Sequence, residues 1–342
     1  MKNRINLTNY NIRTDLIIDN EINDNYIKKN IINDNITITT VNVDDKLSKE
    51  LNKKTGNYIT IEFLDITNHD DRLEIINCLK EEIKELLNKL NINNNDECLI
   101  LGLGNRFSTA DSLGPITIDK IMVTRHLFEL NTNVSKGIRS VAAISPGVMA
   151  NTGIETYDII TSLINKIQPK FIIAIDALAS SSITRINKTI QLTDTGIHPG
   201  SGIGNNRKEI SIDTIGIPVI AIGVPTVVES SIIVTDTINY LLKHLSYMKN
   251  NYNTNKLIIY HKNTNKYLKT IDKEKIDNKD TKEVTGILGT LNDNDKRKLI
   301  SEVLNSIDYN MIVTPKEIDF LIDLLAKTIS TSINDSLHQA KD

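Results

Sequence analysis

FIIAIDALASSSITRINKTIQLTDTGIHPGSGIGNNRKE, residues 171–209, decides the reading of this chain. It opens on five uninterrupted apolar residues, 171–175. Such a run fits a strand buried on both faces, as in a parallel sheet. The run stops on Asp176. A carboxylate at the C-terminal end of a buried parallel strand gains little from packing, and ligands and reacting groups collect at that edge of open α/β sheets. The competing reading of Asp176 is a helix N-cap or a turn residue at a strand-to-helix joint. Further on, residues 194–204 hold four glycines and one proline, the composition of a shaped loop.

Working outward, the 342 residues suffice for one large domain or two ordinary ones. An apolar content of 39% supports a real core, although Trp is absent and aromatics are only 4%. The net charge of -3 gives no basic face for a polyanion, so direct nucleic-acid binding is not expected. Cys78 and Cys98 form no CxxC pair, which argues against a disulfide framework or structural zinc and fits a reducing compartment. The N-terminus lacks a signal-peptide core, and no run reaches the roughly 18 apolar residues of a membrane span. A soluble cytoplasmic protein without membrane partners is expected.

Residues 1–36 are polar and sparsely patterned and read as a flexible arm. β-Branched runs at 37–43 and 58–64 read as strands, with Gly56-Asn57 as a turn between them. Residues 71–90 carry apolar positions at helical spacing. CLILGLGNRFSTADSLGP, residues 98–115, reads as a short strand followed by a glycine turn, with a helix at 123–130. GLGN lacks the third glycine and the ribose-binding acid of a dinucleotide site, so Gly102, Gly104 and Asn105 are read as shaping a site, and no cofactor is expected. Strands near 138–144, 171–175 and 217–222 alternate with helices near 153–167 and 230–245, which argues for an α/β fold with a mostly parallel sheet flanked by helices. The Lys- and Asn-rich stretch 250–282 reads as a surface insertion or linker, and amphipathic helices are expected over about 295–334. Thr314-Pro315-Lys316-Glu317 reads as a helix start, with Thr314 as N-cap.

Asp111 lies in the loop after one parallel strand and Asp176 at the end of another, so both carboxylates can reach one crevice. Two carboxylates in one site push their pKa values apart, one taking a proton from water and the other donating one, which suits hydrolysis. Asp194 with His198 is a rival constellation, as are Glu155, Asp158 and Glu229, and a metal could draw on Asp111, Asp176 and His198, although no HExxH is present. Arg185, Arg207 and Lys208 are candidate contacts for an acidic substrate.

Long strings then point to a family. GLGN at 102–105, ADSLGP at 110–115, VTRHLFEL at 123–130, SPGVMANTGIET at 145–156, FIIAIDALA at 171–179, DTGIHPGSGIGNNRKE at 194–209 and IPVIAIGVPTVV at 217–228 resemble the bacterial spore germination proteases. YNIRTDL at 10–16, GNYITIE at 56–62 and VTPKEID at 313–319 extend the resemblance over nearly the whole chain. The resemblance implies a fold related to the hydrogenase-maturation peptidases, phosphorylase/hydrolase-like, with extra N-terminal strands and C-terminal helices. It implies an atypical aspartic-type endopeptidase, active as a homotetramer in the forespore and spore core, with Asp111 and Asp176 as the catalytic pair and no metal. It implies substrates among the small acid-soluble spore proteins that protect DNA, and a zymogen whose propeptide, residues 1–15, is removed by self-cleavage at Asp15–Leu16 to leave a single domain over 16–342. Two other readings stay open: a metal-dependent maturation peptidase of the related fold, and a non-catalytic binder of spore proteins.

Overall fold

A computed structural model describes residues 15–20, 22–130, 133–199, 208–250, 286, 291–307 and 311–338. In chain order the elements are β1 (Ile27–Ile31), β2 (Ile36–Val43), α1 (Asp45–Leu51), β3 (Gly56–Phe63), α2 (His69–Lys89), β4 (Cys98–Gly102), α3 (Leu113–Ile118), α4 (Arg125–Glu129), β5 (Val141–Ile144), α5 (Met149–Thr152), α6 (Thr156–Ile167), β6 (Phe171–Ala179), β7 (Thr189–Thr193), α7 (Ile212–Ile215), β8 (Val219–Glu229), α8 (Ser230–Asn250), α9 (Asp293–Ser306), β9 (Ile312–Val313) and α10 (Ile318–Leu337).

The chain divides into two compact units. The larger comprises Arg13–Ser180, Thr184–Val227 and Thr314–Asp342. Its sheet runs β1-β2-β3-β7-β8-β6-β4-β5. The α/β class expected from the alternating pattern holds. The parallel ladder is confined to β5, β4, β6 and β8, while β7, β3, β2 and β1 extend it antiparallel. One face of the sheet buries Ile100, Ile173, Ile175 and Ile222 against α2, α3 and α10, with Ile83, Leu86, Ile322 and Ile329 fully buried. The other face carries Leu99, Leu101, Ile172 and Ala174 against Ile160 of α6. The β4 and β6 residues divide alternately between the two cores because successive strand side chains point to opposite faces.

The smaller unit comprises Met1–Ile12, Ser181–Ile183 and Val228–Val313. Within it α8 packs on α9. Arg297 pairs with Asp236 at 3.8 Å and donates to the Ser181 carbonyl at 3.0 Å. Val228 and Glu229 pair with β9. The insertion expected at 250–282 lies outside the described residues but for the end of α8.

Several expectations need correction. Residues 15–20 and 22–31 are not a loose arm: Leu16 and Ile17 are fully buried, and β1 pairs with β2. The edge strand β1 escapes a periodicity reading because four of its five residues face solvent, and backbone pairing alone places it. Gly56-Asn57 is the start of β3, and α1 makes the connection instead. Strand β7 is an addition, and β6 continues beyond Asp176 to Ala179. Thr314 does not cap α10: its hydroxyl donates to the Thr226 carbonyl at 2.8 Å, and the helix starts later, at Ile318. Cys78 and Cys98 are both unpaired and buried.

His338 closes α10, where its buried imidazole accepts the Arg139 N–H at Nδ1, 3.3 Å away. Burial first, and the Arg139 charge as well, hold this imidazole below the ordinary value of 6.5, against a raising contact with the Met122 backbone. Because the folded state disfavours the imidazolium, the stability from neutral His338 is complete above pH 6.5 and is lost as pH falls below it. His338→Gln should flatten urea-unfolding stability between pH 7 and 5 relative to wild type, read from midpoints at each pH.

Candidate active site

The sequence around β4 and β6 builds one edge of the sheet. The β4 ladder continues one residue past the strand, with Leu103 N–H donating to the Ile175 carbonyl at 2.8 Å. The chain then turns at Gly104, whose φ of +107° favours glycine. A Cβ there would lie 2.9 Å from Asp111 Oδ1 and still closer to the Asp111 carbonyl. The loop returns through a 3₁₀ turn, Thr109–Asp111, that lies against β6. Gly114 stands in the first turn of α3, where a Cβ would sit 2.7 Å from the Ile175 carbonyl. Gly102 in turn faces the backbone of Gly114. The glycines at 102, 104 and 114 therefore let two backbones meet, and the loop brings the 3₁₀ turn that ends in Asp111 against β6, the strand that carries Asp176 within its length.

The two carboxylates sit in different surroundings. Asp176 is buried, and its Oδ1 accepts the N–H of Ala177 at 2.9 Å. Asp111 is half-buried. Its Oδ2 accepts the Asn105 N–H at 2.8 Å, and the same N–H reaches the Asp111 carbonyl at 3.0 Å. Asn105 Oδ1 accepts from Phe107 N–H at 3.1 Å and from Asn151 Nδ2 at 2.8 Å, so it buttresses Asp111 and joins its loop to α5. Thr226 of β8 donates to the Ala110 carbonyl at 2.6 Å. Phe107, 85% exposed, stands on the rim of this loop. An enclosed carboxylate thus stands on β6 and a more open one in a turn that lies against the same strand, and carboxylates in unlike surroundings can divide the work of activating water and protonating a leaving group.

Comparison with known proteins decides the family. The model of a family described as germination protease matches residues 9–342. The germination protease of Bacillus cereus (strain AH187) is 42% identical over 358 residues, covering 100% of this chain and 98% of that protein. Those of Bacillus anthracis (strain CDC 684 / NRRL 3495) and Bacillus thuringiensis subsp. konkukian (strain 97-27) are also 42% identical with the same coverage. The chain belongs to the germination protease family. It is a protease, hence a hydrolase, of the spore germination class. A [NiFe] hydrogenase maturation protease, HycI from Thermococcus kodakarensis KOD1, is 13% identical, with a TM-score of 0.27 over 42% of this chain and 80% of that one, a likeness too slight to carry an argument.

Against this family frame, the expected site residues separate into two groups. Gly102, Gly104, Asn105 and Asp111 come together where β4 ends and its loop turns, and that loop lies against β6, the strand of Asp176. Asp194 is placed elsewhere: its carboxylate takes Asn57 N–H at 2.8 Å and Asn57 Nδ2 at 2.6 Å, clamping the start of β3 to the end of β7. His198 is exposed on the loop after β7, 3.5 Å from Glu209, which also pairs with Lys54. Because β7 runs antiparallel to β8, its end points away from the edge that holds Asp176. Among the described residues no group of three or more His, Cys, Asp or Glu side chains is disposed to hold a metal ion. Arg207 lies outside the described residues. Arg185 pairs with Asp19 and, at 3.7 Å, with Glu62, and so serves the chain itself.

The sequence reading passed over Asn151, Thr226, Lys53 and Gln191. Gln191 had one visible signal, since Thr189, Gln191 and Thr193 alternate with Ile190 and Leu192. No pattern marks the other three, which reach their partners through tertiary contacts.

Asp15 is held against β6, and Leu16 is fully buried. Asp15 N–H donates to the Ala179 carbonyl at 3.2 Å, and Ala179 N–H donates to Asp15 Oδ2 at 2.9 Å. This segment is thus tied to β6 three residues beyond Asp176.

Gly104→Ala should displace Asp111 and lower peptidase turnover about 100-fold, the order expected when a catalytic group shifts by about 1 Å. Gly153→Ala, also at positive φ but with open space around it, should cost about 1–2 kcal/mol of stability and leave turnover within a few fold. Steady-state kinetics and urea denaturation on both variants check the contrast.

Proposed function

We propose that this chain is the zymogen of an aspartic-type endopeptidase that starts the breakdown of small acid-soluble, DNA-protecting proteins in the germinating spore core. The reading is carried by the contact of the turn that ends in Asp111 with β6, the strand that carries Asp176. In this reading the two carboxylates share one proton, as neighbouring carboxylates can. The ionised member takes a proton from water, whose oxygen attacks the peptide carbonyl. The protonated member passes its proton to the departing amine. The pair titrates as a unit, and its two roles belong to the pair.

The same chemistry would remove the propeptide, residues 1–15, by hydrolysis at Asp15–Leu16. Support comes from the seating of Asp15 on the end of the strand that carries Asp176. The mature enzyme acts as a homotetramer in this reading, without a cofactor. Its net charge of -3 suits a protease that frees DNA without binding it.

Intact mass against time on the purified full-length protein tests the proposal. At mildly acidic pH the wild type should lose residues 1–15. Asp176→Asn and Asp111→Asn should do so about 100- to 10,000-fold more slowly, the span of general acid–base catalysis. Equal trimming of wild type and variants would sink the Asp pair. A wild type that keeps its full mass would sink self-processing, and loss of trimming in EDTA would point to metal chemistry instead.

A further inference from the structure

The bond between Asp15 and Leu16 is held by more than its neighbours on β6. The Asp15 carbonyl oxygen accepts two hydrogen bonds, from Lys53 Nζ and from Gln191 Nε2, each 3.3 Å long. The Gln191 amide also accepts the N–H of Ile17 through Oε1 at 2.7 Å. One buried side chain thus grips the backbone on both sides of Leu16, and the amide orientation is the one that satisfies both ends. Downstream, the Asp19 side chain is fully enclosed, pairs with Arg185 and accepts from the Ser180 hydroxyl at 3.3 Å. The segment is pinned on either side of the bond, at Asp15 and at Ile17 to Asp19.

Local structure aims both donors. Asn52 takes a left-handed conformation, φ 52°, and closes α1, and Lys53 N–H returns to the Ser48 carbonyl. Lys53 is half-buried. Desolvation lowers its pKa from the ordinary value, while Asp15 and Asp19 pull it back up. Gln191 lies on β7 opposite Gly223 of β8, and Gly223 lies opposite Asp176 of β6. Residues opposite one another in a ladder share a face, so Gln191 and Asp176 project to the same side, two strand spacings or about 10 Å apart. Asp15, bonded to β6 and to β7, bridges the space between them.

We infer that Lys53 Nζ and Gln191 Nε2 form the oxyanion-binding pair for hydrolysis of the Asp15–Leu16 bond, with Lys53 as a catalytic group that touches the reacting carbonyl. The inference rests on the self-processing reading above. In the step, water oxygen bonds to the Asp15 carbonyl carbon and the carbonyl oxygen becomes negative. The ammonium and the amide N–H donate to that oxygen. Collapse of the intermediate breaks the C–N bond. One water is consumed, and the products are the Asp15 carboxylate and the Leu16 amine. Two 3.3 Å contacts are long for a ground-state carbonyl, whereas donors of this kind act on the charge that develops in the transition state.

The test uses the full-length protein, with intact mass read against time beside urea midpoints. Lys53→Met should slow loss of residues 1–15 by about 100- to 1,000-fold, the loss seen when one oxyanion donor is removed. Lys53→Arg, which keeps a charged donor, should recover at least a tenth of the wild-type rate. Gln191→Leu should also slow the reaction, and Gln191→Glu should not restore it. Shortening of Lys53→Met at the wild-type rate overturns the inference while self-processing survives. Lys53→Arg as slow as Lys53→Met, with both midpoints lowered alike, also overturns it, because the lysine is then only structural. A wild type that never shortens removes the self-processing reading and this inference together. If Asp176→Asn shortens as fast as wild type, the Asp pair fails, and Lys53→Met still decides the role of Lys53.

Discussion

Gly114 stands where any side chain would run into the carbonyls of Leu103 and Ile175. Much of the architecture of the candidate site depends on that backbone-to-backbone approach. It lets α3 lie on the end of β4 and the middle of β6, which in turn lets the loop from Leu103 fold back on itself. Gly104 then accepts the Asp111 backbone at a distance no Cβ would allow, and the Asn105 N–H fastens the carboxylate. A catalytic side chain on a loop is only as well placed as the rigid elements beneath it. Here the support is the buried parallel ladder, which is packed on both faces and keeps its register from Ile172 to Leu178 of β6.

The antiparallel half of the sheet has a different job. Its apolar positions continue the core beneath α2 and α10, while its other face carries a polar row, Thr39, Thr60 and Gln191. Polar side chains on an enclosed sheet face are costly unless they have partners. Gln191 meets that requirement by binding the chain's own residues 15 and 17. Leu16 and Ile17 are buried in the same place, and Ile17 joins Val41, Val43, Leu47 and Tyr58 in a small core. The N-terminal segment is thus part of the packed protein, and hydrolysis at Asp15–Leu16 would act on a bond already fixed in one conformation.

Much of this was legible in the residues. The five-residue apolar run before Asp176 announced a strand buried on both faces, and β6 is that strand. The helical spacing over 71–90 announced α2, and the glycine turn after residue 101 announced a site-shaping loop. These readings succeed because burial imposes a period or a length on the sequence. Elements that rest on backbone pairing left a fainter trace. Strand β1 faces solvent along most of its length, and β7 is short and lies beside a glycine-rich stretch. Thr314 shows the same limit locally: its hydroxyl had the pattern of a helix cap and found the Thr226 carbonyl instead.

The sequence by itself determined the α/β class and the family, and it singled out Asp111 and Asp176, because apolar runs and long matching strings are properties of one dimension. Only the tertiary structure decided that Asp194 clamps β3 to β7, away from the edge that holds Asp176. Only it placed Lys53 and Gln191, 138 residues apart in the chain, on a single carbonyl oxygen. Strand register and helix closure create such a meeting, and both emerge when distant segments compete for the same buried surface, so no local pattern of residues records the outcome.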